Sequence, residues 1–143
     1  MMADVSHAWF NQATRDLEVA RSLLDNSYFE WACYASQQAA EKAIKSVYIH
    51  LGASVDDLKK KSHKLNDMMT AIKDLCERDL SDIVREASLL EPQNQKTRYP
   101  EREVPPMNSY NVGTARSAIR SAEKILQYCN ELRIELETFW AEH

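Results

Sequence analysis

Between Gln95 and Pro106 the chain reads QKTRYPEREVPP, a segment that gathers Lys96, Arg98, Tyr99 and Arg102. An arginine offers paired N–H donors that match two oxygens of a phosphate, a lysine adds a point charge, and a tyrosine offers a ring on which a base can stack. Pro100, Pro105 and Pro106 bar regular structure and fix φ locally, so Arg98 and Tyr99 have less freedom than an ordinary loop allows. Two further groups carry chemistry. One is the polar row Gln37, Gln38, Glu41, Lys42 and Lys45. Glu41 and Lys45 stand four apart in the order that favours pairing, worth about 0.3–0.5 kcal/mol on an exposed helix, and taken alone the row reads as a solvated face. The other is His63-Lys64 at the start of a predicted helix. Free N–H groups and a partial positive charge at a helix start suit a phosphate, although an exposed capping turn has the same sequence.

These groups combine in one expectation: the loop folds back over the polar row and makes a local cationic pocket. Arg98 then grips phosphate, Tyr99 stacks on a base or seals the loop to the core, and Lys42 or Lys45 adds charge. The alternative is that Arg98 pairs with Glu41 and only anchors the loop. Other chemistries lack footing. No Gly-x-Ser-x-Gly, His-Glu-x-x-His or Gly-rich phosphate loop occurs, and His7, His50, His63 and His143 are too scattered to hold a metal. No metal and no cofactor are expected.

The elements that must position these residues read as helices. Only Gly52 and Gly113 interrupt a chain rich in residues that lose little on entering a helix. Trp9, Ala13, Leu17, Ala20 and Leu24 form the stripe of a first helix, capped at Ser6 and ended by Asp25-Asn26-Ser27. A second helix runs from about Tyr28 to Leu51 and stops at Gly52. Ala53 to Ser62 reads as a polar connector, and Ser62 as the cap of a third helix from His63 to about Leu75. Leu80, Ile83, Val84, Ala87 and Leu90 mark a fourth, closed by Pro92. After the loop, Asn108 or Ser109 caps a long last helix with a stripe from Ala115 to Phe139. Ala32, Ala35, Ala39 and Ala43, and Ala115, Ala118 and Ala122, form rows of small residues that let helix backbones approach closely. Trp9, Trp31 and Trp140 lie on or beside apolar stripes and read as core or interface.

Composition bounds the rest. A chain of 143 residues, 44% hydrophobic, matches one all-α domain over residues 1–143, an antiparallel bundle of about five helices. Eighteen basic against 22 acidic side chains give a net charge of -4, so no global basic field exists to hold a long duplex nucleic acid. Cys33, Cys76 and Cys129 have no pairing or ligand spacing and read as reduced, buried thiols, and no apolar run reaches the roughly 20 residues a membrane span needs. The expected location is cytoplasmic.

Trp9, Ala13, Asp16 and Leu17, then SYFEWACYASQQAAEKAIKSVYIHLG, HKL and KTRYP, and finally an alanine-rich helix, resemble a HEPN domain over nearly the whole chain. Gln37 to Lys45 and Thr97 to Pro100 are the most specific parts, and the loop is similar to that of the HEPN domain at the end of sacsin. The resemblance implies a small helical bundle and a two-fold homodimer, with Trp31, Tyr34 and Trp140 as interface candidates. It also implies a link to nucleotide binding, to a small nucleotidyltransferase partner, or to RNA cleavage. The ribonuclease branch carries an Arg followed four to six residues later by a His near the last helix. Here Arg116, Arg120 and Arg133 have no such His, since His143 lies too far beyond them. The expectation is therefore a non-catalytic dimer that binds a nucleotide or other phosphate-bearing ligand through Arg98, Tyr99, Lys42, Lys45, Glu41, Gln38, His63, Lys64 and Lys96. A toxin-type ribonuclease and an interaction module for a nucleotidyltransferase are the alternatives.

Overall fold

The computed structural model describes residues 2–52, 64–76 and 79–142. Among them are five α-helices: α1 (Met2–Asp25), α2 (Phe29–His50), α3 (Leu65–Cys76), α4 (Ser81–Leu90) and α5 (Val112–Glu142). Two short 3-10 turns, Glu91–Asn94 and Pro106–Asn108, lie between α4 and α5, and no strand occurs among the described residues. The all-α bundle read from periodicity is what forms.

Helix α2 is the axis of the bundle. It packs against α1, α3, α4, α5 and the first 3-10 turn, and Ala32, Ala35, Ala39, Ala40 and Ala43 are buried along it. Small side chains on α2 meet Ala13, Leu17 and Ala20 of α1 and the buried Ala115, Ala118 and Ala122 of α5 in one core. Close backbone approach is the physical result of those alanine rows. Leu65, Met68, Met69 and Ile72 of α3 and Leu80, Ala87 and Leu90 at α4 complete the core. No helix among the described residues is long and apolar enough to cross a membrane.

The helix ends correct two expectations. Ser6 is no cap: α1 begins at Met2 and Ser6 lies inside it, fully buried, with its hydroxyl donating to Ser46 O at 2.8 Å. Asn111, rather than Asn108 or Ser109, caps α5. Its Oδ1 accepts from the Thr114 N–H at 3.0 Å, and its own N–H donates to Thr114 Oγ1 at 2.8 Å, a reciprocal capping box. The predicted α1 stop holds: Ser27 takes φ 64°, its N–H donates to Leu24 O, and the Tyr28 N–H donates to Leu23 O. Gly52 stops α2 at φ 106°, a conformation that suits a residue without Cβ. The predicted connector, its Ser62 cap and the side chains of Cys76 and Trp140 fall outside what the structure describes.

Candidate functional site

The loop after α4 is built from its own local bonds. In the first 3-10 turn the Gln93 carbonyl accepts from the hydroxyl of Thr97, a side chain only 1% exposed, at 2.6 Å. Gln93 Oε1 accepts from the Tyr110 hydroxyl at 2.6 Å, tying the start of the loop to its end. Further on, Glu101 and Val104 exchange backbone bonds of 3.0 and 3.1 Å across a two-residue turn whose first corner, Arg102, sits at φ 56°. A non-glycine residue in that region needs its surroundings to hold it, and the paired Glu101–Val104 bonds do so.

Arg98 stands at the centre. Its Nε donates to the Asn94 carbonyl at 2.7 Å and one Nη donates to Asn94 Oδ1 at 2.8 Å. The guanidinium carbon lies 4.9 Å from the centre of the Tyr34 ring and 5.2 Å from that of Tyr99. Tyr34 in turn meets Trp31 edge to face at 6.1 Å. The result is a ladder of Trp31, Tyr34, Arg98 and Tyr99 from α2 into the loop, in which a cation lies between two ring systems. Trp31 and Tyr99 remain 44% and 61% exposed, so the ladder presents rings to solvent.

Tyr99 also lines a groove of about 290 Å3, together with Lys96, Glu101, Val104, Pro106, Ser109 and Tyr110. Neither Lys96 nor Glu101 forms an ion pair or side-chain hydrogen bond with any described residue. A lysine and a glutamate thus line one groove with no ion pair between them.

The remaining predicted site residues are placed elsewhere. The loop meets α2 at Tyr34, one turn before Gln38, and Arg98 makes no ion pair with Glu41; its anchors are Asn94 and Tyr34. The polar row is not a solvated face, because α2 is surrounded: Gln37, Glu41 and Lys45 are buried. Lys45 pairs with Glu41 at 3.3 Å and its ammonium lies 5.6 Å from the Trp9 ring centre, while Lys42 is paired with Asp16 of α1. Gln38 donates to Gln37 Oε1 at 2.7 Å. Glu41 Oε1 and Gln37 Nε2 are buried without a partner. Lys42 and Lys45 are thus engaged with carboxylates away from the Arg98 loop.

His63 lies outside the described residues, and exposed Lys64 precedes α3. The start of α3 already holds an anion: the Leu65 N–H donates to Glu91 Oε2, a carboxylate 26 residues away in sequence. Burial raises the Glu91 pKa above its ordinary value, the Leu65 N–H pulls it down, and nearby Glu41 raises it again. The chain's own glutamate occupies the helix end that sequence offered to a phosphate.

A second polar cluster was missed. Arg133 of α5, 3% exposed, donates from Nε to Ser6 Oγ at 2.9 Å, and its guanidinium carbon lies 4.9 Å from the Phe10 ring centre. Burial lowers its pKa. Both ring nitrogens of His50 are buried without a partner, and burial lowers the His50 pKa, opposed by Glu137 and reinforced by Arg133 and His7. The signal available was an Arg interrupting an apolar stripe, which reads equally as an exposed position. Among the described residues no group of three or more His, Cys, Asp or Glu is placed to hold a metal.

A central alanine-lined helix wrapped by four others, with a proline-bound loop before the last, defines a small helical-bundle domain with a loop-borne groove. The chain belongs to the HEPN domain family, whose model matches residues 6–132. It is similar in structure to ST0689, an archaeal HEPN homologue, with 32% identity, 90% of this chain and 97% of that one covered, and a TM-score of 0.73. TT1696 from Thermus thermophilus is 28% identical, with 89% and 97% covered and a TM-score of 0.74. A HEPN domain protein from Thermotoga maritima, tm0613, is 27% identical, with 88% and 97% covered and a TM-score of 0.66. No curated protein matches the sequence.

Proposed function

We propose that this HEPN domain binds a nucleotide or other phosphate-bearing ligand in the groove beside Tyr99 and does not transform it. The observation that carries the reading is the clamping of Arg98 between Tyr34 and Tyr99 while Asn94 takes two of its donors, beside a groove whose Lys96 has no carboxylate partner among the described residues. Arg98 then acts as a positioning residue. It holds the Tyr99 ring ready to stack, and Lys96 supplies the charge that meets phosphate. The non-catalytic part rests on the absent Arg-to-His spacing in the sequence.

A homodimer fits the same end of the molecule. Tyr28 and Trp31 are 55% and 44% exposed at the start of α2, where Trp31 forms the outer end of the ladder, and aromatic surfaces are common at interfaces. Light scattering at micromolar concentration is expected to give twice the chain mass, and Trp31→Glu to reduce it to one.

A thermal-shift panel of nucleotides and inorganic pyrophosphate tests the binding, since a ligand for the native state alone raises its apparent stability. At least one nucleotide is expected to raise Tm in a concentration-dependent way, with the shift reduced by Lys96→Ala and Tyr99→Ala. Arg98→Lys keeps the charge but loses the planar stack and the paired donation to Asn94, and is expected to weaken binding nearly as much as Arg98→Ala. No shift with any nucleotide or with pyrophosphate would remove the reading.

A further inference from the structure

We infer that the groove prefers guanine among the nucleobases and that Glu101 is the residue that selects it. The assignment rests on the nucleotide reading above and adds the identity of the base. At about 290 Å3 the groove lies just below the usual range of ligand pockets, roughly 300–1,000 Å3, a size that admits at most one mononucleotide and no oligomer. Its chemistry is divided: Lys96 is a cation, Glu101 is an acceptor, and the Tyr99 ring stands between them in sequence as a wall of the groove.

An ionised carboxylate has two acceptor oxygens and no donor. It therefore suits a ligand edge with two neighbouring donors and opposes an edge that presents an acceptor. Guanine carries N1–H and N2–H side by side on its pairing edge. Adenine and cytosine each place a ring-nitrogen acceptor beside their amino group, and uracil sets its one N–H between two carbonyls. A phosphate held at Lys96 leaves the base to meet Glu101, with Tyr99 against its face.

Position supports Glu101 over its neighbours. The paired backbone bonds between Glu101 and Val104 hold it in the tight turn, whereas Glu103 is at the turn's second corner and does not line the groove. Since Glu101 has no side-chain partner among the described residues, a ligand need not displace an existing contact to reach it.

The test is titration calorimetry of the full chain with GMP, AMP, CMP and UMP, repeated on Glu101→Gln and Lys96→Ala, with circular dichroism to verify that the variants fold. Glu101 is exposed, so its replacement is expected to leave the helices intact. GMP is expected to bind roughly tenfold or more tightly than AMP, the scale of one bidentate base contact. Glu101→Gln, with one oxygen and one amide in place of two acceptors, should collapse that ratio by weakening GMP, and Lys96→Ala should weaken all four alike. Equal binding of GMP and AMP, or a ratio unmoved by Glu101→Gln, would overturn the guanine assignment and leave the nucleotide reading standing. Absence of binding by all four would overturn both.

Discussion

The Arg133 Nε donates to the Ser6 hydroxyl at 2.9 Å, and that hydroxyl donates onward to the Ser46 carbonyl at 2.8 Å, so one chain of bonds joins the last helix to the first and the second. All three residues are buried, where an unmet polar group loses water without compensation. Ser6→Ala leaves a donor of Arg133 without its acceptor and is expected to destabilise by about 1–3 kcal/mol. Adding Arg133→Met removes the stranded charge as well, so the double variant should be less destabilised than the sum of the singles, as measured by urea unfolding.

Half-buried His50, whose two ring nitrogens are shut off from water without a partner, sets an acid limit. Its folded-state pKa lies below the ordinary 6.5, chiefly through burial, so protons bind the unfolded chain more readily than the folded one. The His50 contribution is therefore complete above about pH 6.5 and is lost as pH falls from there toward the folded value. Arg133 and His7 deepen the effect and Glu137 opposes it. His50→Leu is expected to flatten the urea midpoint between pH 7 and about pH 5.5, above the range where most carboxylates titrate. An unchanged slope would assign the loss to other groups.

Both Cys33 and Cys129 are buried, with thiols pushed up to about 12 by burial. The thiolate is the reactive form, so neither should alkylate in the native protein at pH 8. Mass spectrometry after iodoacetamide treatment is expected to find both residues unmodified until denaturant is added.

The capping box of Asn111 and Thr114 starts α5, the helix that carries Arg133. Asn111→Ala is expected to lower stability by about 1 kcal/mol, while Asn108→Ala and Ser109→Ala should have little effect. Thermal unfolding of the three variants compares them directly.

The alanine row of α2 also makes a steric prediction. Ala39 and Ala43 are fully buried against neighbouring helices, and Ala39→Leu inserts volume where no space is left. A loss of about 1–3 kcal/mol is expected, with helix content retained.

Periodicity alone carried most of the fold. Spacings of three and four located the five helices of the described residues, the alanine rows marked where backbones come close, and Gly52 marked the end of α2, because these signals act within a few residues of one another. The loop at Lys96, Arg98 and Tyr99 was equally legible, since prolines and charges stand out in a helical sequence. Partners were not. Glu41 and Lys45 have the spacing of a surface pair, yet they are buried, because only the packing of five helices puts α2 in the centre. Ser6 has the chemistry of a cap, yet it joins Ser46 and Arg133 from helices distant in sequence. Arg98 carries the donors of a phosphate clamp, but Asn94, four residues earlier, takes two of them, and Tyr34 takes the ring contact. Glu91 fills the start of α3 across 26 residues. Residue type states what a side chain is able to do, and local spacing states which helix face it shares. Which opposite group reaches it first depends on distances across the bundle, and those arise only when the helices meet.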